Sequence, residues 1–218
     1  ARVSGLLLKR LYREGDLVRA GAPMFNIDPA PFEIALAQAQ AQLAQERARN
    51  EQSRRESTRL KQLAAEKAIS QKEYDDASSN LKLSNATLQA AEAKLREAEL
   101  NMSYTSVAAP VSGVSGRAAR SEGSLITAGA DSLLTSISQV DPIWVRFSLS
   151  ESDLAKLPQR RLVLGAQVEV GLVMPDGTRY PGKGRLNFAA TQIDTRLGTQ
   201  QLRAEFDNAK GQLLPGQF

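Results

Sequence analysis

The 218-residue sequence contains no cysteine and no histidine. The first absence excludes disulfides, thiolate metal sites and cysteine nucleophiles, and it leaves the redox compartment unread. The second removes the commonest general base and the commonest metal ligand, so that only carboxylates, lysine and tyrosine remain for proton transfer. An enzyme remains possible but starts with poor odds, and no catalytic residue, metal or cofactor is singled out. Aromatic residues make up only 5% of it, too few for one large core. No apolar run approaches the length of a membrane span. No signal peptide opens the chain, which starts abruptly at Ala1-Arg2-Val3-Ser4-Gly5 and reads as a trimmed fragment. The net charge is +4, but the basic residues are interleaved with acidic ones instead of forming a stripe, so no nucleic acid is expected as a partner.

What is present is unevenly distributed. Alanine, glutamine, glutamate and arginine gather between Pro31 and Asn101, while glycine, proline and β-branched residues lie on either side. Laying the residues from Ala109 against those from Ala1, without a gap, exposes a repeat. Val3-Ser4-Gly5 matches Val111-Ser112-Gly113, Glu14-Gly15 matches Glu122-Gly123, Leu17 matches Leu125, and Ala20-Gly21-Ala22 matches Ala128-Gly129-Ala130. Lys9 with Arg117 and Val18 with Ile126 are conservative pairs between them. Each copy predicts a short strand, a turn at Glu-Gly, a second short strand and a turn at Ala-Gly, with glycine where φ turns positive. One copy is too small to fold alone. Two halves together could bury their Val, Leu and Ile faces in a small β-sandwich.

Between the copies the sequence predicts two long helices. From Phe32 to about Ala65 there is no glycine or proline, with Pro29 and Pro31 at the entrance. From Ser70 to about Ser103 a heptad places Tyr74, Leu81, Leu88, Leu95 and Met102 against Ala77, Ser84, Ala91 and Ala98. The facing positions of the first helix are Leu36, Ala39, Leu43, Glu46, Asn50, Ser53, Ser57, Leu60 and Ala64, so its middle is polar and the seam thin. Glu66, Lys67, Ala68 and Ile69 between the helices suffice only for an antiparallel hairpin. At a 1.5 Å rise per residue its arm would be about 50 Å long. Ser70 with Glu73 has the spacing of a capping box. After the second copy, Ile143, Val145, Phe147 and Leu149 alternate as in a half-buried strand. Ser150 with Asp153 can cap a short helix ending before Pro158. Val168, Val170 and Leu172 alternate again, Pro175-Asp176-Gly177 marks a hairpin turn, and Leu186 with Phe188 and Leu202, Ala204 and Phe206 supply further strands.

The half-motif, Val-Ser-Gly followed by Glu-Gly-x-Leu-Val/Ile-x-Ala-Gly, resembles a lipoyl or biotinyl carrier fold split in two. True carriers present a modifiable lysine on a tight turn between the halves, where this chain has its helices, so a structural use of the fold is implied. Half motif, helical hairpin, half motif and β domain, in that order, resemble the periplasmic adaptors, or membrane fusion proteins, of tripartite multidrug efflux pumps. The likeness covers nearly the whole chain. Arg59, Leu63 and Ser70 match the R-x(3)-L-x(6)-S pattern of that family's hairpin tip, which implies contact with an outer-membrane channel. Gln139-Val140-Asp141-Pro142-Ile143-Trp144-Val145 is similar to the opening of the family's barrel domain, and Leu214-Pro215-Gly216 to its close.

The resemblance implies an α+β, elongated chain: a split lipoyl-like β-sandwich with an inserted α-helical coiled-coil hairpin, followed by a small β-barrel. The expected domains are 1–30 with 104–139 (lipoyl-like), 31–103 (hairpin) and 140–218 (barrel), a membrane-proximal domain being absent from this chain. The implied partners are an inner-membrane transporter of the resistance-nodulation-division (RND) type, the outer-membrane channel, and further copies in a ring, a hexamer or trimer of dimers. The implied location is the periplasm, attached to the inner membrane through an anchor outside this chain. Alternatives are an adaptor of an ABC-type exporter or type I secretion system, a lipoyl or biotinyl carrier subunit, and a coiled-coil spacer without a channel partner. In the last case Leu63 closes the hairpin core, Ser70 merely caps, and Arg59 is solvated.

Overall fold

The computed structural model describes residues 1–129, 132–157, 162–163 and 168–217. In chain order the elements are β1 (Gly5–Arg10), β2 (Leu17–Val18), β3 (Pro23–Ile27), α1 (Ala30–Ala65), α2 (Gln71–Ser103), β4 (Ser106–Ala108) and β5 (Gly113–Ser115). There follow β6 (Leu125–Ile126), β7 (Ile137–Ser138), β8 (Ile143–Ser150), α3 (Glu151–Leu154), β9 (Glu169–Val170), β10 (Gly184–Asp194) and β11 (Thr199–Phe206). The class is α+β. Two compact units divide the chain: one holds Ala1–Tyr12, Ala22–Ala108 and Ala118–Leu134, the other Arg13–Gly21, Ala109–Arg117 and the chain from Thr135 onward.

The first unit contains a four-stranded sheet in the order β4-β3-β1-β6. Leu7, Met24, Phe25, Ile27 and Ile126 are almost fully buried, and the Tyr12 ring meets Phe25 edge-on at 5.3 Å. From this sheet the chain leaves at β3 and returns at β4, two strands paired through Asn26 and Ser106. Between them α1 and α2 form the hairpin. Pro29 stands at the N-cap of α1 and Pro31 within its first turn, where a missing N–H costs nothing. The seam follows the heptad. Ala77, Ser84 and Ala91 of α2 are buried, and so are Ala39, Leu43, Glu46 and Ser57 of α1. The polar middle is cross-linked: Asn50 Nδ2 donates to Ser84 Oγ at 3.1 Å and to Asn85 Oδ1 at 2.7 Å.

In the second unit a three-stranded sheet runs β2-β5-β7 and a four-stranded sheet β8-β11-β10-β9. The larger sheet packs Ile143, Ala204, Phe206 and Leu213 into a core flanked by Val145, Phe147, Val170 and Leu172. Gly184 lies against the Phe206 ring with no room for a Cβ. The alternation of Ile143, Val145, Phe147 and Leu149 holds along β8, Ser150 Oγ accepts the Asp153 N–H at 3.2 Å to cap α3, and Gly177 turns at φ 84° in the Pro175–Gly177 turn. The strand expected over Val168, Val170 and Leu172 is shorter than its pattern. Only Glu169–Val170 pairs, with β10, and Leu172 packs on the core from outside a strand. Pro158 and Ala130 lie outside the described residues.

The repeat is realised as an exchange of strands. The first strand of each copy pairs with the second strand of the other: Gly5 opposes Ile126 and Leu6 opposes Leu125, while Gly113 opposes Val18 and Val114 opposes Leu17. The hydrogen bonds repeat with the sequence. Leu7 N–H donates to the Ser124 carbonyl at 2.9 Å, and Ser115 N–H to that of Asp16 at 3.0 Å. Gly123 N–H reaches the Leu7 carbonyl at 2.8 Å, and Gly15 N–H that of Ser115 at 2.9 Å. The serine of Val-Ser-Gly accepts a turn N–H from the other copy, Ser4 from Ala128 and Ser112 from Ala20, both at 2.9 Å. Gly15 and Gly123 have φ of 87° and 82°, the region where a side chain would be strained.

Candidate functional site at the hairpin tip

The tip is built by the end of α1, the five residues after it and the start of α2. Glu66 is the C-cap of α1. Lys67 follows at φ 54°, its N–H donating to the Ala64 carbonyl at 3.0 Å, and the Ala68 N–H donates to the Leu63 carbonyl at 2.9 Å. This pair of bonds is a Schellman ending, which reverses the chain and satisfies carbonyls that the helix leaves open. Glycine usually takes the left-handed position in that motif; here a lysine does.

Ser70 starts α2 through a complete capping box. Its Oγ accepts the Glu73 N–H at 3.3 Å, its own N–H donates to Glu73 Oε2 at 2.8 Å, and its hydroxyl donates to the same oxygen at 2.9 Å. The Ser70 backbone bond, then the Ser70 hydroxyl, hold the Glu73 carboxyl below its ordinary value. The hydroxyl is therefore engaged as donor and as acceptor within its own helix.

Arg59 and Leu63 lie four residues apart on α1 and so share a helix face. Arg59 is exposed, and its Nη2 forks onto Glu56, 2.8 Å from Oε1 and 2.7 Å from Oε2. Its Nε and Nη1 have no partner among the described residues. Leu63 is half-buried, as are Leu60, Ala64 and Ile69. The three residues of the tip pattern thus sit on either side of one turn, and no hydrogen bond joins Arg59 to Ser70 among the described residues. Below them an open groove of about 760 Å³ is lined by Glu56, Leu60, Glu73, Asp76, Asn80 and Leu83, among others.

Two features of the tip were not expected from the sequence. The grip of Glu56 on Arg59 was legible in principle, being an acid three residues ahead of a base on a helix. The left-handed Lys67 had no sequence sign, since neither glycine nor asparagine marks it. Among the described residues, no helix is long and apolar enough to cross a membrane, and no three Asp or Glu residues are placed to hold a metal ion.

Comparison with known proteins accounts for nearly the whole chain. Residues 1–138 match the barrel-sandwich hybrid domain of the RND membrane fusion proteins, and residues 142–218 match the β-barrel domain of the same proteins. The efflux pump periplasmic linker BepD of Brucella suis is 41% identical over all of this chain and 57% of its own length. The multidrug resistance protein MexA of Pseudomonas aeruginosa is 36% identical over all of this chain and 55% of its own, and the multidrug export protein AcrE of Escherichia coli 36% over all of it and 58%. The chain therefore spans little more than half the length of these curated relatives. Among solved structures, a MacA-MexA chimera carrying the Pseudomonas aeruginosa MexA α-hairpin superposes with a TM-score of 0.65 at 22% identity, over all of this chain and 72% of that one. A putative efflux transporter from Bacteroides eggerthii gives 0.63 at 21%, over 95% and 57%. At such identities the likeness concerns the fold.

Proposed function

The chain belongs to the membrane fusion proteins of RND systems, and from that membership we propose that it is a periplasmic adaptor joining an inner-membrane RND drug transporter to an outer-membrane channel. The family is one of adaptors and not of enzymes. In this reading 31–103 is the arm that reaches the channel, 1–30 with 104–139 is the lipoyl-like mount, and 140–218 is the barrel on the transporter side. The protein works in the periplasm, attached to the inner membrane, and several copies form a ring.

The observation that carries the reading is the tip. Arg59 stands exposed with two donor nitrogens unengaged among the described residues, one turn from a half-buried Leu63, on a helix that ends in a tight reversal held by two hydrogen bonds. A guanidinium fork and a leucine suit a small groove lined with carbonyls on a channel end. Each contact is weak alone, and a ring of copies raises the effective concentration of the others once one has bound. Ser70 enters this contact as the residue that starts α2 and orients the tip.

A second reading, a spacer without a channel partner, draws support from Ser70, whose hydroxyl already donates and accepts within the hairpin. Photocrosslinking from position 59 in cells, in the full-length protein, separates the two. Attachment to an outer-membrane channel supports the adaptor. Attachment only to further copies or to soluble proteins would move the weight to the spacer.

A further inference from the structure

The outer face of the barrel sheet carries a cluster that folding does not account for. Strands β8 and β11 pair antiparallel, so alternate residues share a face. Val145 and Phe147 turn with Leu202, Ala204 and Phe206 toward the core, whereas Trp144 and Arg146 turn with Arg203 and Glu205 outward. Arg146 and Arg203 are directly opposed in the register. Opposed residues have Cβ atoms about 5 Å apart, and like charges there are destabilising.

The carboxylate beside the pair on this face, that of Glu205, is bound to other groups. Glu205, opposite Trp144, accepts from Trp144 Nε1 at 3.1 Å and from Asn187 Nδ2 at 3.0 Å. Among the described residues neither Arg146 nor Arg203 forms an ion pair. Instead the Arg203 guanidinium lies 4.0 Å from the Trp144 ring centre and 5.6 Å from that of Phe188, with its Nε donating to Asn187 Oδ1 at 2.8 Å. Arg203 is thereby fixed in place without a direct ion-pair partner among the described residues. Trp144 is 55% exposed and Phe188 44%. An open groove of about 460 Å³ lies along this face, lined by Arg146, Ser148, Phe188, Gln201 and Arg203 among others.

We propose that this face docks an acidic segment of a partner protein, one carboxylate being held between Arg146 and Arg203 with an apolar neighbour against Phe188 and Trp144. Two guanidinium forks match a carboxylate's two oxygens, and the hydroxyl of Ser148 and the amide of Gln201 add neutral donors. Exposed tryptophan and phenylalanine around an arginine are the composition of a protein contact centre. The inference rests on the adaptor reading only in expecting a protein partner on the barrel; the clamp itself stands on the sheet.

Trp144, the one tryptophan of the sequence, stacks on Arg203 of the groove, so tryptophan emission reports on the state of that arginine. The experiment titrates the chain at low salt with acetyl-Ala-Glu-Glu-Ala-amide, its Gln-Gln counterpart, inorganic phosphate, and vesicles containing phosphatidylglycerol. The expected result is a saturable change in emission with the glutamate peptide, weakened about tenfold or more by the Gln-Gln exchange and by either Arg146→Gln or Arg146→Glu. Arg146→Glu, which sets opposite charges across the strands, should unfold at no lower temperature than the parent, so lost binding in that variant is not lost folding. No response, an equal response to the Gln-Gln peptide, or binding unchanged in both variants overturns the proposal. A stronger response to phosphate or to the vesicles overturns it in favour of a phosphate ligand. Crosslinking from position 59 is independent of every one of these outcomes, so a failed clamp and a failed adaptor reading are told apart.

Discussion

Lys67 occupies a backbone conformation that most side chains avoid. Its φ of 54° is imposed by the two hydrogen bonds that end α1, and a side chain there carries a cost of about 1–2 kcal/mol. Glycine would remove that cost and lose some of the gain to its freer unfolded chain. Lys67→Gly is therefore expected to stabilise the protein by about 0.5–1 kcal/mol, measured by urea unfolding; a loss of stability would show that the lysine side chain contributes to the tip. Asn208 is the opposite case, a polar residue only 1% exposed that ties the barrel together. Its Nδ2 donates to the carbonyls of Val140 at 2.9 Å and Leu213 at 2.8 Å, its Oδ1 accepts the Leu213 N–H at 3.0 Å, and its own N–H donates to Asp141 Oδ1 at 2.7 Å. Asn208→Ala leaves two carbonyls and an N–H buried without partners, and a loss of about 2–4 kcal/mol in the same measurement is expected. Neither residue could be singled out from the sequence: Lys67 is neither the glycine nor the asparagine that marks a left-handed helix end, and Asn208 answers to Val140 and Asp141, far from it along the chain.

The elements were more open to reading than the residues. Each α1 and α2 position assigned to the seam by the heptad is buried or half-buried, and Ser70 with Glu73 forms the capping box that its spacing implies. These are local rules, satisfied within one or two turns of helix. The Glu56 fork on Arg59 is equally local and follows from the same spacing rule. The strand exchange is not local: β2, β5 and β6 are two or three residues long, and nothing in such short segments states their partners. That information lay instead in the repeat, whose constant offset is also the offset between the two sets of hydrogen bonds. Within the seam, Glu46 is 9% exposed and has one carboxylate oxygen, Oε2, without a partner, while Oε1 accepts from Gln42 at 3.1 Å. Burying a carboxylate so poorly satisfied is unfavourable. Glu46→Leu should raise the stability of the hairpin by about 1 kcal/mol, seen as a higher melting temperature by circular dichroism at the helical band. A lower melting temperature would mean that Glu46 serves the seam as it stands.

At the scale of the molecule, the doubled pattern makes a prediction that no single site would. Ser4 and Ser112 accept equivalent bonds from opposite copies at equal distances, and both are exposed. Ser4→Ala and Ser112→Ala should therefore cost the same, about 0.5–1.5 kcal/mol each by urea unfolding. Unequal costs would show that the copies have diverged energetically while keeping their geometry.

The pairing of β3 with β4 has a further consequence. Because Asn26 and Ser106 are neighbours in one sheet, with Ile27 N–H bonded to the Thr105 carbonyl at 2.8 Å just beyond, the two feet of the inserted arm are pinned side by side whatever lies between them. Reach is thus a quantity this architecture can vary without renegotiating its base. Excising 46–52 together with 82–88 takes one heptad from each helix, preserves the phase of the seam and shortens the arm by about 10 Å. Limited proteolysis of that variant should leave the sheets as resistant as before, whereas new cleavage in β3 or β4 would show that the arm braces its own mount. A lineage needing to span a wider or narrower gap could change this one dimension in seven-residue steps.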